Sequence, residues 1–408
     1  MKIKYPFIAI FAVLLFSCIS IEKQENIAIL AKDFIDESLD TDFIPKNKAQ
    51  EVVYNMEIGW NLGNTLDATL NTNQLNEGLK TEISWGQPRT TQEMIQGLAK
   101  NGIKTIRIPI SWHNHIIDQN YTIDEEWFDR VKTIVDWAIE ENMYVIINTH
   151  HDNSETTPLV YGAGYYPSSE NKEESLKFLC RIWEQISTVF NYDYDERLIF
   201  EIMNEPRLRG HEHEWNFVEK CELCKDSMKC VNEYNQKVLD VIRASGGNNA
   251  TRLVMIPSIG GSPDSAFSDL FEMPKDSAEN ALILSVHMYT PYEFAMGVPG
   301  GEKFTSLHKQ VLNYYFFRLN QKFVSKGIPV VIGEMGATNK NNLEERAKWF
   351  AYFIQHSRIY GVTSCLWDNG NSEPSTTQSE KYGYYNRIEK EWYFPLLMEI
   401  ILECSKVK

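Results

Sequence analysis

The sequence predicts an α/β fold, a single-domain (β/α)8 barrel of the TIM type over residues 46–408. Eight short and largely apolar runs alternate with amphipathic helical segments along this region. Apolar strands that alternate with helices indicate a parallel sheet buried on both faces. Polar residues gather directly after the runs, at the strand ends where such a barrel carries its site.

In the first half of the barrel, strand and helix signals follow in turn. The segment 57–62 predicts a first strand that leads into Gly63. The fourth strand, 198–203, is stopped by Pro206, which has no N–H to donate to a sheet. The helix over 124–141 has an apolar stripe at helical spacing, formed by Trp127, Val131, Ile134, Val135, Ala138 and Ile139. The remaining predictions are strands over 103–110 and 143–149 and helices over 90–100 and 170–190.

The second half repeats this pattern up to the C-terminus. Gly246 follows one predicted helix and Gly327 ends another, as is common after a helical segment. The predicted helices cover 227–244, 305–325, 343–355 and 395–403. The predicted strands cover 251–256, 281–286, 328–332 and 361–366.

The N-terminus has the plan of an export signal. Lys2 and Lys4 precede the apolar run 6–16, which is too short to span a membrane, and Ser17 and Cys18 follow. We interpret residues 1–18 as a signal peptide of the lipoprotein type, with Cys18 lipidated. Ordinary secretion is the alternative. Residues 19–45 are polar and charged and predict a flexible tether, so the protein is expected at the cell surface or outside the cell.

The net charge of -16 argues against nucleic-acid or anionic-membrane surfaces and suits a neutral ligand. Cys221, Cys224 and Cys230 are predicted to share one loop, where a disulfide fits an exported protein. A zinc site that borrows His211 or His213 is the alternative for this loop.

Two strand-end glutamates suggest the chemistry. Glu205 lies in Asn204-Glu205-Pro206 after the fourth strand, and Glu334 follows the seventh. A carboxylic acid and a carboxylate that face each other across one pocket are what retaining hydrolysis of a glycosidic bond requires. We predict that Glu205 is the acid/base and that Glu334 is the nucleophile.

Further polar residues at strand ends are predicted to bind substrate. Arg107 would favour the ionised form of Glu334, and Asn204 would contact a sugar hydroxyl. His150 is preferred over His151 as a hydroxyl-binding group, because neighbours on a strand point to opposite faces and chelate poorly together. A metal hydrolase that uses His150, His151 and Asp152 is the alternative.

The last strands supply the other candidates. His287 and Tyr289 lie two residues apart and face the same side, towards the two glutamates. Trp367 is the expected floor for a sugar ring, and Glu201 is expected to be a buried hydrogen-bond partner. Weaker candidates for outer sugar subsites are Asn64, Trp85, Trp112, Asp368 and Asn369.

Seven motifs now resemble glycoside hydrolase family 5, over residues 50–405. They are Gly59-Trp-Asn-Leu-Gly-Asn-Thr-Leu-Asp67, Arg107-Ile-Pro109, Asn148-Thr-His-His-Asp152, Asn204-Glu-Pro206, His287-Met-Tyr289, Gly333-Glu334 and Trp367. The first motif, with Trp85-Gly-Gln-Pro88, looks most like subfamily 4.

The resemblance implies a retaining endo-β-1,4-glucanase that acts on β-glucan and needs no metal or other cofactor. It places the catalytic pair on Glu205 and Glu334. The other site positions fall on Arg107, His150, Asn204, His287, Tyr289 and Trp367. The segment 221–230 departs from the family pattern and puts the substrate range in doubt.

Alternatives stay open on function. A xyloglucanase or mannanase belongs to the same class, and a non-catalytic, glycan-binding surface lipoprotein belongs to another. A monomer without nucleic-acid partners is expected, with membrane attachment only through Cys18.

Overall fold

Eight parallel strands close into a barrel, as predicted. The computed structural model describes residues 27, 30–40, 42–70, 72, 74–154 and 163–406. Each strand pairs with the next in the chain, and the eighth pairs with the first. The strands are β1 (Ile58–Asn61), β2 (Thr105–Ile108), β3 (Tyr144–Asn148), β4 (Leu198–Glu201), β5 (Val254–Pro257), β6 (Leu282–Met288), β7 (Val330–Met335) and β8 (Val362–Leu366). A hairpin of β9 (Tyr385–Asn386) and β10 (Glu391–Trp392), which the sequence did not predict, follows β8.

A helix precedes β1, and the later helices follow the strands and cover the outside of the barrel. They are α1 (Lys48–Asn55), α2 (Gln92–Lys100), α3 (Glu125–Glu140), α4 (Lys172–Val189), α5 (Glu222–Ala244), α6 (Pro263–Phe267), α7 (Tyr292–Ala295), α8 (Ser306–Lys322), α9 (Leu343–Ile359) and α10 (Pro395–Ser405). Polar side chains cap the N-termini of several helices. Thr91 accepts a hydrogen bond from the backbone N–H of Met94 at the start of α2, and Asp124 accepts one from the backbone N–H of Glu126 at the start of α3. Short 3₁₀ helices cover Gly78–Ile83, Gly247–Ala250, Ile259–Gly261 and Val324–Lys326.

Alternation along the strands divides the core in two. Outward side chains such as Ile147 and Phe200 pack against the helices, while Ile146, Ile199 and Val331 fill the lower barrel interior. Above this apolar layer, the next inward positions are polar. The barrel therefore carries a buried polar layer towards its C-terminal face.

The predicted cysteine loop is wrong. Helix α5 begins at Glu222, five residues before the predicted start, so that Cys224 and Cys230 lie inside it and Cys221 directly precedes it. All three thiols are free. The predicted helix began too late because the polar residues of this first turn hide its helical pattern.

The tether prediction is wrong for the residues described between 31 and 43. Ala31 is buried, and Phe34 and Phe43 pack against the barrel core. The Asp36 N–H donates to Gln355 Oε1 at 3.2 Å, and Gln355 Nε2 donates back to the Asp36 carbonyl at 2.9 Å. The predicted signal peptide and Cys18 lie outside the described residues. Within the described part of the chain, no helix has the length and apolar character needed to cross a bilayer.

Candidate active site

Two carboxyl groups meet at the C-terminal face of the barrel. A carboxylate oxygen of Glu205, which follows β4, lies within 4.8 Å of a carboxylate oxygen of Glu334 on β7. Their side chains are 15% and 7% exposed, so both are largely desolvated yet reachable from the cleft. The predicted encounter of these two strand ends is therefore observed.

A β-bulge brings Glu334 into the barrel. Ile332 pairs with Val286, whereas Glu334 pairs with His287, so that Gly333 is an extra residue in β7. Without this bulge, strict alternation would leave Glu334 on the outward side with Ile332. A Cβ at position 333 would lie 3.0 Å from His287 Nε2, so glycine provides the room for this ring.

Arg107 on β2 joins the two acidic strands and is fully buried. Its Nη1 donates to Glu334 Oε1 at 2.9 Å and to Asn61 Oδ1 at 2.8 Å. Its Nη2 donates to Asn204 Oδ1 at 2.6 Å, and its Nε donates to Glu201 Oε2 at 2.8 Å. Burial opposes the charged guanidinium, but the two carboxylates outweigh it and raise the pKa of Arg107. Arg107 is thus a permanent cation that holds Glu334 in place.

His287 links the two glutamates. Its Nδ1 lies 2.8 Å from Glu205 Oε1 and 3.7 Å from Glu334 Oε2. Its Nε2 lies 3.5 Å from Arg107 Nη2, and a guanidinium can only donate, so the ring hydrogen belongs on Nδ1 and is donated to Glu205. Burial works to raise the pKa of Glu205, but this hydrogen bond prevails and lowers it. Burial works to lower the pKa of His287, but Glu334 and Glu205 prevail and raise it.

Gly261 makes room for this histidine contact. Its φ of +59° lies in the left-handed region, which side chains rarely adopt. A Cβ there would lie 3.2 Å from the ring of His287 and 3.4 Å from Cγ of Glu205. The turn after β5 therefore packs closely against Glu205 and His287.

Tyr289 completes the contacts of Glu334, as the sequence predicted. Its hydroxyl donates to Glu334 Oε2 at 2.9 Å. Burial and the neighbouring carboxylate raise the pKa of Tyr289 well above its ordinary value, so the hydroxyl keeps its proton. Both oxygens of Glu334 thus accept charge-stabilising hydrogen bonds.

The tautomer of His150 follows from its neighbours. The backbone N–H of Ile110 donates to Asn148 Oδ1 at 3.1 Å, which fixes the orientation of the Asn148 side-chain amide. Asn148 Nδ2 then donates to Glu201 at 2.8 Å and lies 3.1 Å from His150 Nδ1, which must accept. The ring hydrogen lies on Nε2, 3.8 Å from Glu334 Oε1. Burial and nearby cations lower the pKa of His150, so the ring is neutral.

The two neighbouring histidines do not point apart, contrary to the prediction. Strand β3 ends at Asn148, so alternation does not govern them, and the rings lie 4.5 Å apart. Ligand atoms of Asp67, His150 and His151 lie within 4.8 Å of one another. His150 offers no lone pair, because Nδ1 accepts from Asn148 and Nε2 carries the hydrogen. The trio is therefore better suited to binding hydroxyl groups than a metal ion.

Asp152 does not join these histidines, so the alternative metal triad is wrong. Its Oδ1 accepts from the N–H groups of Trp112 and His113 at 2.8 and 2.7 Å. Among the described residues, two groups of three potential ligands come together, and neither includes a cysteine, His211 or His213.

The aromatic and loop candidates divide into two sets. Trp367 is half-buried and stacks parallel to His150, with ring centroids 5.9 Å apart, and Trp85 lies 5.5 Å from His151. Both therefore lie beside the site. Asn64 has a left-handed backbone at φ 57° and a half-buried side chain. Its predicted contact with sugar stays a prediction.

Three weaker candidates belong to the protein framework instead. Trp112 is buried and donates to the Asn148 carbonyl. Asp368 is buried and accepts from Trp60 Nε1 and backbone groups of the following loop. Asn369 is buried and uses both ends of its amide within that loop, to Glu380, Asn371 and Tyr382. These contacts give no support to a role in sugar binding, which stays a prediction for all three.

The sequence did not predict a group of residues beside Glu205. Arg207 Nη1 donates to the Glu205 carbonyl at 3.0 Å and lies 3.8 Å from Glu205 Oε2. Its Nε donates to Glu214 at 3.0 Å, and its guanidinium carbon lies 4.0 Å from the ring centre of Trp215. The Arg207 position next to Pro206 was the available signal. Trp215 lies in a polar segment that gives none.

Replacing His287 with alanine is expected to move the basic limb of the pH profile upwards. The variant loses the N–H donor that lowers the pKa of Glu205, so this acid should keep its proton to a higher pH. The measurement is kcat/KM on a β-glucan as a function of pH. Tyr289→Phe, which removes a contact to Glu334 instead, should leave that limb in place. A basic limb that stays or moves down in His287→Ala would contradict the assignment.

Comparisons with known proteins identify the family. The cellulase family description, glycosyl hydrolase family 5, matches residues 67–373. Endoglucanase B of Ruminococcus albus is 39% identical over 364 residues, which are 88% of this chain and 81% of that protein. A family 5 lichenase from Caldicellulosiruptor sp. F32 superposes with a TM-score of 0.86 at 38% identity, covering 91% of this chain and 99% of the other. A GH5-4 broad specificity endoglucanase from Ruminococcus champanellensis, with bound cellotriose, gives a TM-score of 0.80 at 36% identity over 88% and 100% of the two chains. The chain therefore belongs to glycosyl hydrolase family 5, the cellulase family, with subfamily 4 endoglucanases among its relatives.

Proposed function

We propose that this glycoside hydrolase cuts internal β-1,4 linkages of β-glucans with retention, using Glu205 as acid/base and Glu334 as nucleophile. One observation carries the assignment: carboxylate oxygens of the two residues lie within 4.8 Å of each other. Retaining sites hold their carboxyl groups about 5–5.5 Å apart, whereas inverting sites need about 6.5–9.5 Å to admit a water molecule. The spacing therefore supports double displacement.

In the first step, Glu334 attacks the anomeric carbon as the bond to the leaving oxygen breaks. Glu205 gives its proton to that oxygen, and the donor of His287 stabilises the carboxylate left behind. In the second step, Glu205 takes a proton from water, which attacks the anomeric carbon and releases Glu334. Arg107 and Tyr289 stabilise Glu334 whenever it is ionised.

The remaining predicted residues bind the sugar at this centre. Asn204 accepts from Arg107 through Oδ1, so its NH₂ group is the donor left for a sugar hydroxyl. The Nε2–H of His150 is likewise a donor near the nucleophile. Trp367, stacked alongside His150, gives an apolar wall against a sugar ring.

A panel of soluble polysaccharides tests the function and its substrate range. We expect carboxymethylcellulose and barley mixed-linkage glucan to lose viscosity faster than they gain reducing ends, as internal cleavage requires. Faster turnover of xyloglucan or mannan would favour those two alternatives. If wild-type protein and the Glu205→Ala and Glu334→Ala variants behave alike on every polymer, the catalytic assignment is wrong and a glycan-binding role takes its place.

Trp215 is expected to bind glucosyl units on the leaving-group side. Its ring is 56% exposed and packs on Arg207, which contacts the acid/base. Trp215→Ala should raise KM for polymer about two- to tenfold, the scale of one aromatic contact of about 0.5–1.5 kcal/mol.

The same change should leave kcat/KM for an aryl β-cellobioside within about twofold of wild type, because this substrate has no glucosyl unit on that side. Tyr192→Ala is the matched control. Tyr192 is 76% exposed but precedes β4, at the opposite end of the barrel from the site. An equal loss on polymer in both variants, or none in Trp215→Ala, would contradict this placement.

We further propose that the chain is exported as a monomer and anchored through Cys18. The charged start, the apolar run 6–16 and the Leu15-Phe16-Ser17-Cys18 box support export and lipidation. Cells fed labelled palmitate should label wild-type protein, and Cys18→Ala should abolish the label while activity persists. Unlabelled wild-type protein in the culture medium would favour ordinary secretion instead.

A further inference from the structure

Glu201 is a second acidic residue in contact with Arg107, outside the catalytic pair. It ends β4 and is completely buried. Its Oε2 lies 2.8 Å from Arg107 Nε and 2.7 Å from Arg107 Nη2, and it also accepts from Asn148 Nδ2 at 2.8 Å. Its Oε1 accepts from Ser285 Oγ at 2.6 Å. Glu201 is thus held on every side, below the reacting groups rather than among them.

The guanidinium of Arg107 is shared between two carboxylates of different function. On one edge it binds Glu334, and on the other it binds Glu201. One buried positive charge therefore faces two negative charges. The negative charge of each carboxylate offsets part of the stabilisation that the other carboxylate gains from Arg107.

We propose that Glu201 is a positioning residue that limits how strongly Arg107 stabilises the anion of Glu334. A nucleophile bound too tightly as an anion attacks slowly, because its negative charge disappears into the new bond to the anomeric carbon. With Glu201 ionised, part of the Arg107 charge is already compensated. Glu334 then stays in position without losing its reactivity.

The other groups around Glu334 do not supply this compensation. His150 is neutral in its Nε2–H form, Tyr289 is a protonated donor, and His287 donates to Glu205. Glu205 itself changes its protonation state during the reaction. Glu201 is therefore the fixed negative charge among the described residues that contact Arg107.

The proposal predicts opposite effects on the two half-reactions when the charge is removed. In Glu201→Gln, the uncompensated guanidinium should stabilise the Glu334 anion more strongly. Attack on the substrate then slows, while departure of Glu334 from the glycosyl-enzyme becomes easier. General loosening of the site would slow both steps. The substitution suits this test because the glutamine amide keeps an oxygen that can accept from Arg107, and its NH₂ group can donate to the hydroxyl oxygen of Ser285.

The experiment follows the burst of 2,4-dinitrophenol from its β-cellobioside in stopped flow. For Glu201→Gln we expect the burst rate constant, which reports glycosylation, to fall about tenfold, while the rate constant for deglycosylation holds or rises. Titration with a 2-deoxy-2-fluoro cellobioside counts the folded, reactive molecules in each sample.

Ser285→Ala is the matched control, because it removes one hydrogen bond from Glu201 and leaves the charge. Both rate constants should stay close to wild type in this variant. Equal losses in both steps of Glu201→Gln, or no change in either step, would overturn the proposal.

This inference rests on the proposed role of Glu334, and the two can fail separately. Wild-type protein that forms no adduct with the 2-deoxy-2-fluoro cellobioside would count against the glycosyl-enzyme itself. A normal wild-type burst with an unaltered Glu201→Gln variant would overturn only the role of Glu201.

Discussion

Glu334→Gly is expected to lower hydrolysis of β-glucan by roughly 10⁶-fold, the scale seen when a nucleophile is removed from a catalytic unit. The variant should nevertheless join α-cellobiosyl fluoride to a cellooligosaccharide acceptor. Glycine removes the carboxylate, so the fluoride can occupy its place on the α face. Glu205 can then deprotonate the acceptor, and the β-linked product accumulates because the variant cannot cleave it. The measurement is product formation by chromatography and mass spectrometry.

The double variant Glu334→Gly with Glu205→Ala is the control for that synthesis. It lacks the base, and we expect it to leave the fluoride and the acceptor unjoined. Polymer hydrolysis by Glu334→Gly within about 100-fold of wild type would be too fast for a missing nucleophile and would contradict its assignment.

Glu205→Ala should lose about 10²–10⁴-fold on polymer, the usual contribution of general acid–base catalysis. The loss in the rate of glycosylation should vanish with 2,4-dinitrophenyl β-cellobioside, because its leaving group needs no proton. Deglycosylation should remain slow until azide is added, because azide attacks without a general base. The product should be β-cellobiosyl azide, identified by NMR.

The configuration of that azide separates the two glutamates. Attack on a glycosyl-enzyme from the face left open by Glu205→Ala gives the β anomer. Removal of Glu334 instead opens the α face of the substrate itself. An α azide from Glu205→Ala would therefore reverse the assigned roles.

The strand ends were predictable because local chemistry marks them. Pro206 stops the run that delivers Glu205, and the apolar run of β7 is followed at once by Gly333 and Glu334. Parallel strands in a barrel bring such ends to one face, so two residues far apart in sequence could be placed in one site. Arg107, His287 and Tyr289 lie at this face for the same reason.

Contacts that depend on departures from regular strands were not predictable. The bulge at Gly333 re-aims Glu334, and period-two alternation contains no signal for it. His150 and His151 were assigned opposite directions because β3 was predicted to run to residue 149, whereas it ends at Asn148. The predicted strand was one residue too long, and this error placed the side chains of His150 and His151 on opposite faces.

Long-range packing also overrode local composition at two surface segments. Residues before α1 read as a polar tether, yet Ala31 and Phe43 find apolar partners on the barrel. The polar first turn of α5 hid a helix that its later residues stabilise against the core. Trp215, which we propose to bind substrate, was also not predictable, since it is positioned by Arg207 and not by a pattern in its own segment.

The most direct test of this mechanism is to trap the reaction halfway. A 2-deoxy-2-fluoro β-cellobioside with a good leaving group should inactivate the wild-type protein, because the fluorine slows the second step more than the first. Digestion and mass spectrometry should then locate one fluorocellobiosyl group on the peptide that contains Glu334. A label on any other residue, or turnover that inverts the anomeric configuration without any adduct, would contradict it.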